Sequence, residues 1–559
     1  MELRRPGTTR LLLELDLTEP PAEPGEDPLE RFRSRGRRLL RPTLRALHEA
    51  GDDPRVVGLL ARLGPGLDWV TAQELRAGLA VFRASGKPTW AWAESLEGPG
   101  TTAAVALAAG FDTFWLQPGG GLGPLGVATE TTFLRGALDR AGIEPQVERR
   151  REYKNAPDQL LQTAYTEAHR ESLTRLTASL WQDAAAAIAE GRGLERDRVQ
   201  QLADGGPLTA AEAVQAGLAD RLGYRDEVHA HARHDLPEGT ELLFADRWSP
   251  RRLPRLPARR HVALVEVRGG IGSGRSRRGP MGRQVGSDTV AAQLRAAAED
   301  DRAAALLLRV DSPGGSAVAS ETIWREVVRV REAGKPVVVS MGSVAASGGY
   351  YVSCPADVIV AAPATLTGSI GVFGGKLVVA RLLDRFGVTT DAVTQGEQAL
   401  INSSRRRWTE SEQARIAAAI DAIYRDFVAK VAVGRGRTVD EIDAVAGGRV
   451  WTGRDALEAG LVDELGGLRD AARIARLRGG LDEEAPVRPA LRVPPVARLG
   501  RPRNSDDPRA RAGLGLLGGL GGGVVGNGLG SGAVGNGWLH ELTGLGVGYE
   551  LRMPELRLL

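Results

Sequence analysis

A chain that repeats itself once, at long period, folds as two related units rather than as a single core or a solenoid of short repeats. The duplication is visible segment by segment. "GLLARLGPG" (58–66) returns as "ALLLRVDSPGG" (305–315), and "RASGKPTW" (83–90) as "REAGKPVV" (331–338). "ALDRAGI" (137–143) returns as "LLDRFGV" (382–388), and "AEAVQAGLADRLG" (211–223) as "RDALEAGLVDELG" (454–466). The separation stays at about 245 residues throughout. The sequence therefore divides into a front half, 1–246, a Pro/Arg-rich linker, 247–260, a back half, 261–485, and a Pro/Arg- then Gly-rich tail, 486–559.

Each half alternates strand-like and helical patterns. "AALLLRV" (304–310) is an apolar run that ends at Gly/Pro chemistry, and "SETIWREVVRVREAG" (320–334) follows with helical spacing and a terminal glycine. "KPVVVSM" (335–341) and "VIVAAP" (358–363) read as further buried strands, with a short helix starting near Ser347 between them. Such alternation predicts an α/β fold with right-handed β-α-β crossovers and largely parallel sheets.

The bulk chemistry excludes several classes. A formal net charge of +3 gives no nucleic-acid signature, and the basic runs 31–42 and 251–260 read as solvated faces or linkers. One cysteine, Cys354, rules out an intrachain disulfide, fits a reducing compartment and reads as a small buried apolar residue. No run of 18 apolar residues is present, and the first 17 residues read as a strand rather than a signal peptide. The expectation is a cytoplasmic or peripheral membrane protein.

Chemistry concentrates in "SVAASGGYY" (343–351), where Ser347 stands between an alanine pair and a glycine pair. An N-cap serine needs only its hydroxyl, and glycine weakens a first helical turn. A nucleophile at a strand-to-helix junction needs more: Gly348 offers a backbone N–H directly after the hydroxyl, where an oxyanion forms. "DSPGGS" (311–316) lacks the Gly-Lys-Ser/Thr of a phosphate loop and the spacing of a dinucleotide fingerprint. Gly314 and Gly315 fit a structural turn or an oxyanion site.

A serine needs a base. None of the seven histidines lies in a glycine-framed or strand-end motif, and "HAHARH" (229–234) has metal-like spacing without supporting carboxylates. No metal or cofactor is expected. Lysine is scarce: Lys87, Lys154, Lys335, Lys376 and Lys430 are all there are. Lys154, in "EYKNAPD", has Ala399 as its counterpart in the back half, whereas Ser347 and Ser369 have Thr102 and Pro124 as theirs in the front half. The amine survives in one copy and the hydroxyls in the other, as expected if the two act together.

"YKNAPD", "DSPGGS", "AASGGYY" and "TLTGSIGVFGG" together resemble the signal peptide peptidase A (protease IV) family in its tandem-domain form, over residues 50–480. The resemblance implies two Clp protease/crotonase-like domains and a serine–lysine dyad. It makes Ser347 the nucleophile, Lys154 the general base, Ser369 the hydroxyl that holds the amine, and Gly348 with Gly314 or Gly315 the oxyanion donors. It also implies a homo-oligomer, commonly of four subunits, and unfolded or apolar peptide substrates such as remnant signal peptides. Two other readings compete: a crotonase-like acyl-CoA enzyme, which would not need Ser347, and a non-catalytic scaffold of the same fold that binds peptides or a membrane surface.

Overall fold

The computed structural model describes residues 9–23, 36–250, 260–279, 282–490 and 549–552. The basic stretch 251–259, the glycine-rich run 513–548 and the end of the closing segment, 553–559, lie outside the described residues.

The duplication is written into the strand order. The front sheet runs Glu241–Phe244, Leu11–Leu17, Val56–Leu63, Thr89–Ala93, Thr113–Leu116, Arg221–Leu222, with every neighbour parallel. The back half repeats this order with Val487–Pro489, His261–Arg268, Ala303–Ser312, Val337–Ala346, Val358–Ala361 and Glu464–Leu465, again all parallel. The central strands are apolar on both faces because both faces are covered, as parallel sheets require. Leu59 and Phe114 in front, and Leu306, Leu308 and Val339 behind, are each 0% exposed, in two separate hydrophobic cores.

Each half then sends out a helix of 26 residues, Glu167–Arg192 and Glu410–Arg435. Both start at a threonine whose side chain accepts a first-turn N–H, Thr166 from His169 and Thr409 from Glu412. Both stop at a left-handed glycine, Gly193 and Gly436. Lys87 and Lys335 are a third matched pair: each amine donates to two backbone carbonyls, of Ala50 and Asp53 in front, and of Ala297 and Asp300 behind.

One strand breaks the symmetry. Glu144–Arg150 leaves the front half and pairs antiparallel along the whole of Val372–Val378 in the back half. Glu144 pairs with Arg407, Gln413 donates to Glu148, and Arg150 bridges to Asp421. The front half thereby supplies one edge of a seven-stranded sheet belonging mostly to the back half.

A buried ion cluster joins the halves from another side. Arg309 is 3% exposed; its guanidinium donates to Ser340 Oγ at 2.9 Å and to the Met341 carbonyl at 3.0 Å. It also faces two front-half carboxylates, Glu74 at 3.4 Å and Glu23 at 3.6 Å. Removing one member of such a cluster leaves uncompensated charge in a desolvated place. Arg309→Met is expected to lower stability by about 3–5 kcal/mol, and Arg309→Met with Glu74→Gln by less, read as urea unfolding midpoints.

Candidate active site

Two parallel strands deliver two serines side by side. Val337–Ala346 pairs with Leu366–Gly368 so that Ala346 lies opposite Gly368, which makes Ser347 and Ser369 the next residue on each. The Ser347 N–H donates to the Gly368 carbonyl at 2.7 Å, and the Ser369 N–H to the Arg449 carbonyl at 2.7 Å. These two serines are the non-glycine residues with positive φ among the described residues, at 55° and 51°. A side chain held there costs on the order of 1–3 kcal/mol, which the surrounding strands must offset. The turn at Ser347 is a sharp strand-to-helix junction: the helix Gly348–Ser353 starts on the next residue, and the Ser347 hydroxyl does not cap it.

The small residues around Ser347 have a steric cause. A Cβ on Gly348 would fall 2.6 Å from Ser320 Oγ, 3.1 Å from Gly314 Cα and 3.2 Å from Gly315 N. Glycine at 348 thus lets the serine turn close against the Gly314–Gly315 backbone. The Gly314 N–H is already committed, donating to Ser312 Oγ at 3.1 Å.

Lys154 enters from the front half, four residues beyond the crossing strand. Its Nζ lies 2.7 Å from Ser347 Oγ, 3.0 Å from Ser369 Oγ and 3.1 Å from the Ser369 carbonyl oxygen. Lys154, Ser347 and Ser369 are all 0% exposed. Burial drives the lysine pKa well below its ordinary value, because a desolvated ammonium is disfavoured. All three side chains singled out in the sequence therefore meet at one amine.

The loop bearing Lys154 is itself held. Arg149 donates to the Lys154 carbonyl at 3.2 Å and pairs with the fully buried Asp158, which also meets His169 Nδ1 at 3.1 Å. From the back half, Gly448 adopts φ +86°, and a Cβ there would lie 2.5 Å from Lys154 N and 2.6 Å from its Cα. Sequence reasoning missed Arg149, Asp158 and Gly448. The first two lie within five residues of Lys154 and could have been sought there; for Gly448 only the doubled glycine in "VAGGRV" hinted.

The other lysines have separate duties. Lys376 donates to the Ile401 carbonyl, and Lys430 pairs with Glu321 and Asp426. Cys354 is buried, and burial pushes its thiol up to about 12, as suits a packing residue. In the front half, Thr102 is tied to Gly126 in both directions: its hydroxyl donates to the Gly126 carbonyl at 2.8 Å and accepts from the Gly126 N–H at 2.9 Å. The "HAHARH" histidines lie on the helix Arg225–His234, apart from this site.

Comparison with known proteins makes the chain a serine protease and supplies its family. Residues 81–237 and 329–481 each match Peptidase family S49, one match per half, and the chain belongs to that family. It is 35% identical to Protease 4 of Salmonella typhi over 78% of this chain and 71% of that protein. It is 30% identical to the chloroplastic serine protease SPPA of Arabidopsis thaliana, over 86% of this chain and 69% of that one. Protease 4 of Haemophilus influenzae is 31% identical over 77% and 71%. Among solved structures, a ClpP1 mutant from Listeria monocytogenes aligns with 37% of this chain and 94% of its own at 15% identity, with a TM-score of 0.25, too loose an agreement to bear on the fold. Among the described residues, no helix is long and apolar enough to cross a membrane.

Gly448→Ala is expected to displace the Lys154 backbone and lower proteolytic kcat about 100-fold while the circular dichroism spectrum stays unchanged. Activity on unfolded casein checks it.

Proposed function

We propose that this protease is an endopeptidase working through a Ser347–Lys154 dyad, with the catalytic labour split between front half (1–246) and back half (261–485). The observation that carries the reading is the 2.7 Å separation of Lys154 Nζ from Ser347 Oγ in a site closed to solvent. A neutral amine has two N–H groups and one lone pair. The Ser369 carbonyl and hydroxyl oxygens accept the two N–H groups, which leaves the lone pair for the Ser347 O–H.

The steps follow. As Ser347 Oγ attacks the scissile carbonyl, Lys154 Nζ takes its proton. Charge on the carbonyl oxygen is met by the N–H groups of Gly348 and Gly315, since that of Gly314 is bound to Ser312. The ammonium then gives its proton to the departing amine, and the acyl group stays on Ser347. Water then attacks the ester as Lys154 accepts its proton; the acyl–oxygen bond breaks, the ammonium returns that proton to Ser347 Oγ, and the carboxyl product leaves. Extended, unfolded or apolar peptides, remnant signal peptides among them, are the substrate class this reading adopts. The working unit in this reading is a homo-oligomer.

Ser347→Ala and Lys154→Met are each expected to lower kcat by about 10⁴-fold or more. Lys154→Arg is expected to be as inactive, because a guanidinium stays charged and cannot accept the proton. Full activity in any of these overturns the dyad. The rate on a fluorogenic peptide should fall as pH drops through the Lys154 pKa, because only the neutral amine is a base. Burial places the midpoint of that acid limb well below 10.5. A rate still rising steeply at that pH would speak for an ordinary, solvated lysine.

A further inference from the structure

The seven-stranded sheet has a member that the chemistry above does not use. Tyr549–Arg552 lies between Gly314–Ser316 and Val372–Val378 and runs antiparallel to both. On one side Gly314, Gly315 and Ser316 stand opposite Arg552, Leu551 and Glu550. On the other, Phe373 and Gly374 stand opposite Glu550 and Tyr549. Among the described residues, the two flanking strands are joined only through this segment.

Without it, they would face each other across about 9–10 Å, two strand spacings, each presenting unpaired N–H and C=O groups. Such a slot takes an extended peptide by main-chain hydrogen bonds, with little demand on its sequence. Its Gly314–Ser316 wall is the backbone against which Gly348 packs, so a peptide in the slot passes beside Ser347.

We propose that residues 549–552 fill this peptide slot in cis, so that the protease carries its own competitor for substrate. The inference rests on the reading of Ser347 as the nucleophile. Because the segment belongs to the same chain, its docking is intramolecular, and weak strand pairing suffices to hold it. Incoming substrate must displace it, so apparent affinity is lowered by the fraction of chains whose slot is free, while turnover of bound substrate is not.

The test uses the full chain with Glu550→Pro and Leu551→Pro together. Successive N–H groups of a strand point to opposite neighbours, so two adjacent prolines remove one donor toward each wall. The circular dichroism spectrum and the urea unfolding midpoint of the double variant check that it keeps the parent fold. On unfolded casein the double variant is expected to show KM at least 5-fold lower with kcat unchanged. A synthetic peptide of residues 546–553 should inhibit the variant competitively, and more strongly than it inhibits the parent. Equal KM and equal inhibition would overturn the proposal. Binding of that peptide, fluorescently labelled, to both proteins in a Ser347→Ala background needs no catalysis. Tighter binding to the proline variant supports occupation in cis, and equal binding refutes it. Hydrolysis that persists in the Ser347→Ala proteins, parent and proline variant alike, would tell against the dyad and leave the peptide-binding result to decide the slot.

Discussion

The site depends on keeping an amine dry. An ammonium in water is stable, and at neutral pH a solvated lysine holds its proton almost completely. Lys154 is surrounded by two serines, a carbonyl and packed backbone, and desolvation is the one cause of its lowered pKa. Among the described residues no opposite charge touches the amine, and one placed there would favour the protonated form. The neighbouring acid, Asp158, is instead engaged by Arg149 and His169. The charge near the lysine is thus arranged to support its loop while leaving Nζ without a counter-ion.

Drying the amine requires both halves. The strand Glu144–Arg150 carries the lysine across and is gripped by the back-half strand Val372–Val378, while Gly448 leaves space for the lysine backbone. The strained φ values of Ser347 and Ser369 are tolerated because each is anchored by its own N–H on a neighbouring carbonyl. Duplication supplied two copies of a strand-to-helix junction. In the front copy the corresponding hydroxyl, Thr102, is spent on both polar groups of Gly126. In the back copy the hydroxyl meets the amine.

Much of this was legible before any coordinates. The repeat announced two related sheets, and the six front strands recur in order within the eight of the back sheet, because apolar runs and Gly/Pro stops are local signals. Ser347 stood out because bulk had been cleared around it, and Lys154 because its counterpart was lost. Scarcity alone was a weaker guide: Lys87 and Lys335 are matched structural donors, and Lys376 and Lys430 are held by back-half partners. What could not be read was tertiary. A strand that leaves its own half looks like any other strand, the positive φ of Gly448 is invisible in a letter, and the commitment of the Gly314 N–H to Ser312 depends on a turn. The pairing of Tyr549–Arg552 could be suspected only as an edge strand, since four residues carry too little pattern to choose a partner.

The crossing strand also sets an order of events during synthesis. A ribosome extrudes the lysine-bearing half first, and nearly two hundred further residues must emerge before Ser347 exists. Under the dyad reading, a nascent or truncated polypeptide therefore holds no working centre, and hydrolytic power arrives only with long-range closure of the whole molecule. On that reading, the separation of the two groups along the chain acts as a timing safeguard: hydrolysis cannot begin before the molecule that performs it is finished.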